Sequence, residues 1–123
     1  MATYKNPLDL SENLLKKSNY DKVFDSLSNL GLDVYKDSDT DISAYDQGDA
    51  VRDFKVKVDD NGLKFDTIHI DDKYQRQGWG NKLIKAALEG IGEGGNVQIL
   101  NSINDDFWNH IIKKYPNYKW SYK

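Results

Sequence analysis

The 123-residue chain has no cysteine, two prolines and a single methionine. Without cysteine there can be no disulfide framework, no thiolate zinc site and no cysteine nucleophile. No run of apolar residues is long enough to cross a bilayer. There is no excess of positive charge either: 17 basic against 20 acidic residues leave a net charge of −3. A chain of this balance has no global electrostatic attraction to nucleic acid or to an anionic membrane, so both are poor candidate partners. The opening residues lack a basic segment followed by an apolar stretch, so no secretory signal is expected and cytoplasmic residence is the default. What the chain has is 38% hydrophobic residues, with three tryptophans, eight tyrosines and four phenylalanines. That is enough for one core, and the length predicts a single domain over residues 1–123.

Periodicity divides the chain near residue 50. In the first part, Asp9-Leu10-Ser11-Glu12 carries a capping pattern, and Leu10, Leu14 and Leu15 recur at helical spacing. Ser18 or Asn19 can cap a second helix with the apolar stripe Tyr20, Val23, Phe24, Leu27 and Leu30, which Gly31 would end. Leu32 to Tyr35 predicts a short strand. Asp37 to Asp49 is acidic and without a sustained period, which predicts a loop with at most one weak strand. From Val51 the pattern alternates, with Phe54, Val56 and Val58 on one face and Asp53, Lys55 and Lys57 on the other. Asp59-Asp60-Asn61-Gly62 supplies a hairpin turn. The strand Leu63 to Ile70 then has Leu63, Phe65 and Thr67 on one side and Ile68 and Ile70 on the other, which predicts burial on both faces and a central position. A helix through Leu83, Ile84, Ala87 and Leu88 ends at a glycine cluster. A strand at Val97 to Leu100, a helix through Phe107, Ile111 and Ile112, and a last strand at Tyr118 to Tyr122 complete an α/β (α+β) order.

The segment with chemical content is Gln75-Arg76-Gln77-Gly78-Trp79-Gly80, where a buried strand turns into a helix. Glycines at a helix start leave backbone N–H groups open, and the positive end of the helix dipole favours an anion such as a pyrophosphate. Glycines that merely turn the chain are the competing explanation. The spacing is neither a P-loop nor a dinucleotide-binding Gly-x-Gly-x-x-Gly. It resembles the Gln/Arg-x-x-Gly-x-Gly/Ala motif of the GNAT superfamily of acyl-CoA N-acetyltransferases. The likeness extends to Ile68-x-Ile70 before the turn and Leu83-Ile84 after it, and covers Leu63 to Leu88 best.

That resemblance implies a GNAT-like mixed, mainly antiparallel sheet with helices on both faces, residues 1–50 forming a divergent helical acceptor side and 51–123 the acyl-CoA-binding core. It implies acetyl-CoA as cosubstrate, held by Ile68, Ile70, Gln75, Arg76, Gln77, Gly78, Trp79, Gly80 and Asn104, with no metal. It further implies transfer of an acetyl group to an amine of a protein or small molecule. Asp66, counted by alternation onto the face of Ile68 and Ile70, is the base candidate; a solvated residue or a partner for a neighbouring lysine is the plain alternative. His69 counts onto the other face and reads as structural. The family tyrosine expected seven residues after Asn104 is Ile111 here, so His110 or Tyr115 would have to serve as acid. The alternative function is a GNAT-like protein that binds a macromolecular partner through its acidic surface, for example a phage or mobile-element inhibitor. Asp37, Asp39 and Asp41 alternate like a calcium loop, but Ile42 and Gly48 stand where glycine and glutamate are needed.

Overall fold

A computed structural model describes residues 18–48, 50–70, 78–101 and 105–122. Along these the elements are α1 (Asn19–Ser28), β1 (Asp33–Lys36), β2 (Asp41–Tyr45), β3 (Val51–Asp59), β4 (Gly62–Ile70), α2 (Trp79–Ile91), β5 (Asn96–Ile99), α3 (Asp105–Lys114) and β6 (Lys119–Tyr122). The six strands form one sheet in the order β1-β2-β3-β4-β5-β6. The first three pairings are antiparallel and the last two parallel, so the sheet is mixed and β4 is central, as expected. The helix predicted from Asp9 lies outside the described residues.

Local chemistry accounts for the ends. Ser18 accepts a hydrogen bond from the Asp21 amide and caps α1. Gly31, at φ +84°, makes the left-handed exit after it. In the β3–β4 hairpin the Asp59 carboxylate accepts from the amides of Asn61 and Gly62, which fixes the turn. The acidic stretch expected to be largely loop contains β2, whose Ile42, Ser43 and Ala44 are all buried. Its short run lacks the length from which alternation is read.

Cross-strand partners share a face, and the register sorts the sheet into rows. Val34, Ala44, Phe54 and Ile68 form one apolar row, Ile42, Val56, Phe65 and Ile99 a second, and Val58, Leu63, Val97 and Trp120 a third. On the opposite face Tyr35, Ser43, Lys55 and Thr67 line up, and so do Asp41, Lys57, Lys64, Gln98 and Ser121. Phe65 and Ile68 are three residues apart yet share a face, as do Val51 and Phe54, because the β3–β4 ladder is irregular at two points. One extra residue on a strand resets the alternation. This corrects the two-sided burial read for β4: Leu63, Phe65, Ile68 and Ile70 all belong to the apolar face.

The described helices cover that face. Val23 of α1 lies against Gly90 of α2. Trp108 of α3 stands 5.3 Å from the Phe65 ring, and Trp120 stacks 6.4 Å from the same ring. Topology requires the arrangement of α2 and α3: β4-α2-β5 and β5-α3-β6 step the same way across the sheet, so right-handed crossovers place both helices on one side. The resemblance implied helices on both faces of the sheet, whereas the three described helices lie on one.

Candidate functional site

β4 and β5 are paired only from Leu63–Val97 to Phe65–Ile99, with one further bond from the Leu100 amide to the Phe65 carbonyl. β4 continues to Ile70 while β5 has ended. Among the described residues no strand pairs with the β5-side edge of Asp66 to His69. Among the described residues the two strands thus part at the end of the sheet from which the chain enters the N-terminus of α2.

At that N-terminus the two glycines have different physical reasons. Gly78 is the N-cap at φ +82°, a left-handed conformation that favours glycine, and an added Cβ would meet nothing within 4 Å. It brings no side chain to the first-turn amides, so among the described residues no capping side chain engages the N–H groups of Trp79, Gly80 and Asn81. Gly80 is small for packing: its Cβ would lie 3.1 and 3.2 Å from two carbons of the Phe107 ring. Trp79 is half-buried and packs against the core, with the Lys82 ammonium 4.9 Å above its ring. Gln75, Arg76, Gln77 and Asn104 lie outside the described residues.

The acid and base candidates have different surroundings. Tyr115 reaches the glycine turn, where its hydroxyl donates to Asn81 Oδ1 at 2.7 Å in the first turn of α2. Burial raises this hydroxyl above its ordinary value, and the bond to Asn81 offsets part of the rise. It therefore holds its proton at neutral pH. His110 is exposed on α3, off the stripe of buried Trp108 and Ile111. Asp66 occupies the β4 irregularity between Phe65, opposite Val56, and Thr67, opposite Lys55. It does not share the face of Ile68, because the bulge breaks the count by twos on which that placement rested. Its charge is felt instead by Lys57, whose ammonium is raised first by its hydrogen bond to Asp41 and in smaller part by Asp66. The lysine-neighbour alternative fits this geometry. Ile68 and Ile70 are half-buried at the opening.

Counting along the sequence missed two features. Phe107 as the partner of Gly80 had no signal, since the contact joins two helices. The other is a cross-strand pair on the face that the described helices do not cover: Asp53 of β3 stands opposite His69 of β4. Asp53 Oδ1 is buried and has no hydrogen-bond partner, a state that costs about 1–3 kcal/mol for a buried acceptor. His69 is exposed.

At the far end of the sheet, an open depression of ≈ 630 Å³ is lined by residues including Tyr20, Asp21, Lys36, Asp39 and Asp60. Lys36 among them is engaged by Asp21 at 2.9 Å. It lies at the hairpin end of β4 and so away from the α2 N-terminus. Among the described residues no group of three or more His, Asp or Glu side chains could hold a metal ion, and no helix is long and apolar enough to cross a membrane. Compared with family profiles, characterised proteins and solved structures, the chain matches none.

Proposed function

We propose that the chain is an acyl-CoA-dependent N-acetyltransferase that moves an acetyl group from acetyl-CoA to an amine. One observation supports the reading: among the described residues, β4 and β5 part beyond Phe65 beside a helix start that has no side-chain cap, and an added Cβ at its Gly78 would meet nothing within 4 Å. A strand edge offers donors and acceptors to the amide-bearing pantetheine arm, and a helix N-terminus suits the pyrophosphate. Of the residues proposed to hold the cofactor, Ile68, Ile70, Gly78, Trp79 and Gly80 stand around this opening. Tyr115, protonated and at the same turn, is the better placed of the two acid candidates.

Calorimetric titration of acetyl-CoA tests the proposal. Gly78→Asn is the suitable control, because asparagine tolerates the left-handed region and fills the open space above the amides. Gly80→Glu is not, because its Cβ already presses on Phe107. Saturable binding weakened about tenfold or more by Gly78→Asn, a change of about 1.4 kcal/mol, is the expected outcome. A folded wild-type protein that binds no acetyl-CoA overturns the reading. The acidic depression at the other end of the sheet favours the second reading, a protein that acts by binding a partner with a basic surface. Such activity would survive Gly78→Asn and weaken when Asp39 and Asp60 become asparagine.

A further inference from the structure

We infer that His69 and Asp53 form the proton-accepting pair of this site, His69 as the base and Asp53 as the residue that positions its ring; the inference rests on the acetyltransferase reading. Four observations converge. The two residues are direct partners in the β3–β4 register, which brings their Cβ atoms to about 4.5–5.5 Å. Asp53 Oδ1 is buried without a hydrogen-bond donor. The imidazole opposite is exposed, and in the inferred pair one ring N–H donates to that carboxylate. Lastly, His69 belongs to the stretch of β4 that β5 leaves unpaired among the described residues, on the face that the described helices do not cover. With one ring nitrogen on Asp53, the other is an acceptor at the rim of the opening.

The order of elements explains why this pair rather than Asp66 fits. Asp66 sits in the bulge beside Lys57, whereas His69 stands opposite Asp53, whose buried Oδ1 has no hydrogen-bond partner. Other charged groups nearby are Lys55 and Arg52 on β3 and Asp66 on β4. In the reaction the ammonium form of the acceptor gives one proton to the free nitrogen of His69. The amine nitrogen then bonds to the thioester carbonyl carbon, and the C–S bond breaks with its electron pair on sulfur. The second proton leaves the nitrogen and ends on the thiolate, giving the amide and free CoA thiol. His69 returns its proton to solvent.

The chain has two histidines, so imidazole proton–nitrogen NMR reads the pair directly, with His69→Gln for assignment. The expected spectrum has His69 in a single tautomer that reverts in Asp53→Asn to the solvent-averaged pattern of exposed His110. A His69 signal indifferent to Asp53 overturns the pairing. The catalytic role is read from CoA thiol release with acetyl-CoA and n-butylamine as probe. His69→Gln is expected to lower the rate about 100-fold, within the usual range for a lost general base, at unchanged acetyl-CoA affinity. Asp53→Asn is expected to lower kcat with KM for acetyl-CoA unchanged, and Asp53→Glu to recover part of it. Wild-type rates retained in His69→Gln, or no acceleration by the wild type, overturn the role. Absence of acetyl-CoA binding is a separate result that removes the acetyltransferase reading and leaves the tautomer result standing.

Discussion

Three glycines of α2 and its cap illustrate how one residue type answers different demands. Gly78 supplies a backbone conformation, Gly80 yields to an aromatic edge, and Gly90 yields to backbone. At Gly90 an added Cβ would lie 2.5 Å from Val23 Cγ2 and 2.7 and 2.8 Å from the Val23 Cα and N atoms. Backbone of a packed helix cannot move aside as a ring can. Alanine gains about 1 kcal/mol over glycine in helix propensity at either position, and overpacking costs about 1–3 kcal/mol. Gly80→Ala should therefore be close to neutral, within about 1 kcal/mol, since the Phe107 ring has only to give a few tenths of an ångström. Gly90→Ala should take the upper end of that cost and lose about 2 kcal/mol net, because α1 must separate from α2. Urea unfolding of the two variants, compared by midpoint at equal slope, separates them; equal stability would mean that the α1–α2 contact is looser than the close approach at Val23.

At the scale of elements, what was legible in the sequence was what a local signal specifies. The Ser18 cap, the Gly31 exit, the Asp59–Gly62 hairpin and the inward stripe Leu83, Ile84, Ala87 and Leu88 of α2 each depend on neighbours within one or two turns, and each stands where expected. The strand order follows from those elements. The bulges were not legible. Nothing in Phe65-Asp66-Thr67 marks an extra residue, and the phase slip from Phe65 to Ile68 can equally be read as burial on two faces. The misplacement of Asp66 descends from that ambiguity, because register is a property of two strands; His69 was counted onto the correct face, but its partner Asp53 lies on another strand and carries no local signal. α3 shows the complementary limit. A ten-residue helix is marginal alone, and this one docks through buried Trp108 and Ile111. Trp108 touches Phe65, Phe107 and Trp120, so Trp108→Ala should cost about 3–5 kcal/mol. Amide exchange along α3 would then accelerate more than exchange along β2, and uniform acceleration would mean that α3 is not a separable unit.

For the whole molecule, titration sets limits on both sides of neutrality. Asp41 accepts from Lys57 at 3.0 Å, which holds its carboxyl below the ordinary 3.8. The stabilisation it gives is present above about pH 4 and is lost as pH falls through the lowered folded value. Both side chains are more than a third exposed, so solvent screening keeps this acid limb shallow. The alkaline limb has a larger set of contributors. Burial raises the hydroxyls of Tyr20, Tyr115 and Tyr118 above the ordinary 10.0. For a group raised in the folded state, stability is intact below the unfolded value and is lost as pH rises through the folded one. Lys36 and Lys57, raised first by their hydrogen bonds to Asp21 and Asp41, add loss in the same direction as they deprotonate. Thermal midpoints should thus stay level between about pH 5 and 9 and fall above pH 10. Tyr115→Phe gives the sharpest form of the test. It removes the bond to Asn81 and should lower stability at pH 7 by about 0.5–1.5 kcal/mol, yet it also removes one ionisation that opposes the fold. The variant should accordingly converge on the wild type as pH passes 10, and a constant gap across that range would show that the Tyr115 hydroxyl ionises as readily folded as unfolded.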